Sequence, residues 1–134
     1  MTYIISFPIL AIVIAAYLVM AAGGGMMLDA DAFSTTLASG AEFTLRGGDF
    51  FVIAGLVALF FEMLKAARTT PATVVDHVLS TATLVVALFC FLLVGEAGTP
   101  TFFLLLLMTL IDVVAGFSIS LFAARRDYPT HDNR

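Results

Sequence analysis

A chain of 134 residues that is 61% hydrophobic and 12% charged, with a mean hydropathy of +1.09, lies outside the soluble class, whose domains are about 45–50% apolar and about 25% charged. Lipid is therefore the expected solvent, and the length suits one compact membrane domain with no second, soluble one. The net charge of −4 and six scattered basic residues exclude a nucleic-acid partner, the single Cys90 excludes an internal disulfide or dithiol relay, and two histidines, His77 and His131, disfavour a bis-histidine haem site.

The first apolar run predicts a span over residues 3–22, with Pro8 in its opening turns and Gly23-Gly24-Gly25 ending it. Residues 1–28 carry no charged side chain, so the segment reads as a true span and not as a signal peptide. A loop over 26–47 follows, acidic through Asp29, Asp31 and Glu42, whose Phe33, Leu37 and Phe43 place it along the outer interface. The remaining spans are predicted over 48–67, 73–95 and 101–124, the last entered through the turn Gly98-Thr99-Pro100. A polar cytoplasmic tail covers 125–134, and residues 1–124 form a single transmembrane domain. The expected fold is all-α, an antiparallel bundle of four transmembrane helices. Lys65, Arg68, Arg125, Arg126 and Arg134 place the second connection and both termini in the cytoplasm.

Asp112 falls near the middle of the last span, where an acid is costly unless it is paired, hydrated or protonated. Met108, Thr109, Asp112, Gly116 and Ser120 recur at spacings of three and four and share one helix face. Gly116 and Ser120 form a small-xxx-small pair, so that face is expected to meet protein. The third span offers a matching seam of Asp76, Ser80, Thr83, Ala87 and Cys90, in which Cys90 reads as a small buried hydrophobe. Three roles stay open for Asp112. It is protonated or hydrogen-bonded to a hydroxyl and locks the packing, it carries a proton or cation, or it contacts a partner chain.

Glu62, Lys65, Arg68, Asp76 and His77 gather near the predicted cytoplasmic boundary. They are expected to form a salt-bridge network between the second and third spans, the alternative being a proton entry point. Counted along the membrane normal, this cluster is expected about two to three helical turns from Asp112, too far for direct contact without water or intermediates. Metal binding by Glu62, Asp76 and His77 has no spacing signature behind it.

No filter sequence, Walker motif, HExxH helix or nucleophile elbow is present, so an enzyme is disfavoured and no cofactor is implied. The first span also lacks the glutamate expected of small multidrug resistance transporters.

The segments Phe61-Glu62-Met63-Leu64-Lys65-Ala66-Ala67-Arg68-Thr69, Asp76-His77-Val78-Leu79-Ser80, Ile111-Asp112-Val113-Val114-Ala115-Gly116-Phe117 and Ala124-Arg125-Arg126-Asp127 resemble a group of small hypothetical four-span inner-membrane proteins of proteobacteria. The resemblance covers roughly residues 47–127. It implies the fold and a bacterial inner membrane, and transfers no functional residue. The leading expectation is a non-enzymatic membrane subunit acting by helix packing in a homo-oligomer or larger membrane complex. The alternative is a small proton- or cation-conducting subunit with Asp112 as its titrating site.

Overall fold

The computed structural model describes residues 7–67 and 72–126, with the backbone alone for 72–73 and 123–126. The elements in chain order are α1 (Ile9–Ala22), α2 (Met26–Asp29), β1 (Asp31–Thr36), β2 (Glu42–Arg46), α3 (Gly47–Ala66), α4 (Ala72–Leu93), a 3-10 turn (Gly95–Ala97) and α5 (Pro100–Arg126). The chain is mostly helical, and α3, α4 and α5 each contain a stretch long and apolar enough to cross a membrane.

The expected first span is not a single long helix among the described residues. α1 has 14 residues and begins at Ile9, which gives it about 21 Å against a hydrocarbon layer of about 30 Å. Pro8 is its N-cap, in extended conformation. The proline ring fixes φ and biases the preceding residue away from helix, so the break falls where the proline stands. Residues 3–6 of the expected span lie outside the described residues.

The loop expected over 26–47 contains a one-turn helix and an antiparallel β-hairpin. Phe33 pairs with Leu45 and Thr35 with Phe43 on one face, while Ser34 pairs with Thr44 on the other through a hydroxyl–hydroxyl bond of 2.9 Å. The connecting turn uses Gly40 at φ 83, a conformation that side chains with a Cβ disfavour. α3 begins directly after β2, its start fixed by the Asp49 carboxylate, which accepts a bond from the Arg46 backbone N–H at 2.8 Å.

α5 packs most extensively against α3 and α4, and α1 lies mainly against α3. The start of α3 meets the start of α5, because Gly48 lies so close to Thr101 that a Cβ there would be 2.9 Å from its Oγ1. The core is continuous through Leu10, Ile14, Tyr17, Ala58, Leu59, Ala87, Phe102, Leu105 and Met108. The outward faces of α3, α4 and α5 are apolar, with Phe60, Val78, Val86, Phe89, Leu110 and Phe117 all exposed, as suits helices solvated by lipid.

Near the hairpin end, Tyr17 is fully buried, packs edge-on against Phe51, and shares a hydrogen bond between its hydroxyl and that of Thr99. Thr99 is the N-cap of α5, its Oγ1 accepting from the Phe102 N–H at 3.1 Å, and Pro100 occupies the first helical position. Tyr17→Phe removes one bond and keeps the ring, so it is expected to cost about 1 kcal/mol of stability in a detergent unfolding titration.

Candidate functional site

α3 buries Gly48, Gly55, Ala58, Leu59 and Glu62, residues on one helix face. α5 buries Leu105, Met108, Thr109, Asp112 and Gly116 on another. The two faces meet, and they bring together the two most deeply buried acids of the described residues: Glu62 is 4% exposed and Asp112 8%.

The Glu62 and Asp112 carboxyls line the same cavity, within interacting reach of each other. A carboxyl group donates only when protonated, so a hydrogen bond between them requires one proton shared by the two acids. Glu62 has a second partner, its Oε1 accepting from the Leu10 backbone N–H at 2.9 Å. Leu10 lies in the first turn of α1, where N–H groups lack helical acceptors and the helix dipole is positive. The proline that shortens α1 thereby supplies a donor to a buried acid on α3.

The expected separation of two to three turns between Glu62 and Asp112 is overturned. With Gly48 and Thr101 side by side, Glu62 comes fourteen residues after the first and Asp112 eleven after the second. Their Cα depths then differ by about 5 Å, which side chains pointing at one another close. Membrane depth follows from where each helix begins, and that offset is set by the turns at the hairpin end.

A cavity of about 30 Å³ adjoins the pair, lined by Pro8, Glu62, Lys65, Ala66, Asp76, His77, Ser80, Asp112 and Gly116. It is large enough for one or two waters and extends from the carboxyls toward the Lys65 end. On the hairpin side of the pair, one to two turns along the same helices, come Ile14, Leu59, Leu105 and Met108, all buried and apolar. The pair is therefore polar on one side and sealed by apolar packing on the other.

Three of the four hydroxyls expected on these faces bond within their own helices. Thr109 donates to the Leu106 carbonyl at 2.7 Å, Thr83 to Leu79 at 2.9 Å and Ser120 to Gly116 at 2.9 Å. The expected hydroxyl partner for Asp112 is replaced by an acid, and only Ser80 of that set lines the cavity with it. Gly116 does permit a close approach, but what approaches is the His77 ring: a Cβ at Gly116 would be 2.8 Å from its Cε1.

Four members of the expected boundary network are described, and an exposed pair, Arg46–Asp31 at 3.6 Å, lies apart from them in the hairpin. Lys65 Nζ donates to the Phe7 carbonyl at 3.4 Å and lies within electrostatic reach of Glu62. Asp76 and His77 line the cavity in the second turn of α4, which starts at Ala72. Arg68 lies outside the described residues, as does the tail from Asp127, while the backbone of α5 continues through Arg126. Among the described residues no cluster of three or more His, Cys, Asp or Glu is arranged to hold a metal ion. Cys90 is half-buried against the core.

Among the described residues, these features define a mostly helical protein with three helices long and apolar enough to span a membrane and a buried pair of acids between two of them. Comparison with protein-family models, with curated proteins and with solved structures finds no match.

Proposed function

We propose that this chain is a proton-conducting membrane subunit in which Glu62 and Asp112 hold the transported proton. The observation that carries this reading is the pairing of two buried carboxyls at one end of a polar cavity, with apolar packing behind it. A lone buried acid is satisfied by one fixed partner. Two acids sharing one proton form a site that changes charge by accepting or releasing it, which is what a membrane relay needs. No substrate other than a proton, or at most a small cation, matches a space of about 30 Å³.

The same reading takes α1 as part of a fourth span, giving an antiparallel four-helix bundle in a bacterial inner membrane. Lys65 and the arginines beyond it favour a cytoplasmic cavity side by the positive-inside rule, which makes that side the proposed entry for protons.

One observation favours the leading expectation from the sequence, a packing subunit in an oligomer or larger complex. The Leu10–Glu62 bond ties α1 to α3 whatever the pair carries. The two readings separate in proteoliposomes under a valinomycin-clamped potassium potential. If protons move, Glu62→Gln is expected to lower proton uptake about a hundredfold, because the amide still accepts from Leu10 but cannot exchange a proton. Wild-type uptake equal to that of empty liposomes excludes conduction and leaves the packing subunit.

A further inference from the structure

Two polar atoms in the cavity wall are buried yet lack a hydrogen-bond partner among the described residues: Asp76 Oδ1 and His77 Nε2. A buried polar atom without a partner costs free energy, so such atoms are normally satisfied by protein or by ordered water. Both residues line the space that also contains Glu62, Asp112 and Ser80, and that space is large enough for water.

His77 is held there by a specific seat. Its ring stacks on Phe117 at 6.0 Å and 29°, and its Nδ1–Cε1 edge lies against Gly116, where a methyl group would come within 3.0 Å of both atoms. The ring is thus clamped by α5 while it belongs to α4. The groups facing it are Glu62 and Lys65 from α3, Asp112 from α5 and its own neighbour Asp76. It is the one imidazole in the cavity wall, and each of its two ring nitrogens can take or give a proton.

We propose that His77 is the proton-transfer residue between the Lys65 end and the Glu62–Asp112 pair, acting through cavity water, with Gly116 as the seat that positions its ring. This rests on the proton-conduction reading above. In the transfer step the pair has just released its proton toward the opposite side and both carboxyls are ionised. The imidazolium gives its Nε2 proton to a cavity water, and that water gives one of its own protons to a carboxylate oxygen. The ring ends neutral, the water is unchanged, and the pair holds one proton again. A proton from the Lys65 side then recharges the ring.

The test is potential-driven proton uptake by full-length protein in proteoliposomes, comparing wild type, His77→Ala, Gly116→Ala and the double variant, each with imidazole present or absent on both sides. His77→Ala is expected to lose about a hundredfold in rate and to recover most of it with imidazole, which fits the space the side chain leaves and replaces its chemistry. Gly116→Ala is expected to slow uptake in the wild-type background and to have no effect once His77 is gone. Wild-type uptake in His77→Ala, or a loss that imidazole does not restore in a variant with unaltered thermal unfolding, overturns the proposal. A fully active His77→Ala beside an inactive Glu62→Gln removes only the role of His77. An inactive wild type removes the conduction reading and this role with it.

Discussion

Asp112→Asn is expected to lower proton uptake about a hundredfold while the protein stays folded, with a stability change of no more than about 1 kcal/mol. The asymmetry comes from what asparagine keeps. Its amide donates to a Glu62 carboxylate, so the link between α3 and α5 survives with nearly the same volume at a site only 8% exposed. What disappears is the exchangeable proton of the pair, since an amide neither protonates nor ionises here. Asp112→Glu, which retains the acid on a longer stem, should keep a measurable part of the flux. The variants are read by uptake in proteoliposomes and by unfolding in detergent. If Asp112→Asn conducts as wild type does, the proton is not held at this pair. If it fails to fold, the pair is primarily a clamp.

The long helices were legible because nothing but an apolar environment tolerates such runs. Residues 47–66, 72–93 and 100–126 fall within two residues of their expected bounds at every end. The face of α5 was legible too: spacings of three and four placed Asp112 and Gly116 on protein, and both are buried. Three other features depended on information that periodicity does not carry. Pro8 was read as tolerated in a first turn, and it is, but as the cap of a helix that starts after it and not inside one that started earlier. The hairpin had a period-two signal in Phe33, Thr35, Phe43 and Leu45 with Gly40 between the strands, and a twenty-residue stretch without structure is uncommon in a compact domain. Its aromatic residues suggested an interface and drew attention from the alternation.

The third missed feature is the one on which the proposed function rests. Glu62 looked like a boundary residue because Lys65 follows it one turn later. Burial along the face Gly48, Gly55, Ala58, Leu59 and Glu62 shows otherwise, and glycines at the first two positions were the available clue. A helix that presents small residues at its start draws its neighbour in close, which fixes the vertical offset of everything further along. The pairing of Glu62 with Asp112 follows from that offset and from the length of two turns, neither of which a single helix encodes.

The offset itself leads to the largest expected effect on stability. Gly47 stands where β2 passes into α3, its N–H bonded to the Ala30 carbonyl at 3.0 Å. A Cβ placed there would lie 1.9 Å from the Met27 carbonyl oxygen, 2.9 Å from its carbon and 3.2 Å from Leu28 Cα. All three atoms are backbone, so no rotamer change relieves the clash and α2 must move away from the start of α3. Gly47→Ala is therefore expected to destabilise the protein by about 3 kcal/mol, lowering its thermal midpoint in detergent by about 10 °C. Gly55 is the control. Its added Cβ would meet Leu105 Cδ2 and Met108 Sδ, each at 2.7 Å, but these are ends of flexible side chains that can turn aside, and alanine is favoured over glycine within a helix by about 1 kcal/mol. Gly55→Ala should thus change stability by no more than about 1 kcal/mol. Equal midpoints for wild type and Gly47→Ala would mean that α2 does not press on α3, and that the register between α3 and α5 is set by Gly48 and Thr101 alone. A loss of proton uptake in folded Gly47→Ala would instead tie the hairpin end of the molecule to the acid pair, since moving α3 along its axis by a fraction of a turn separates Glu62 from Asp112.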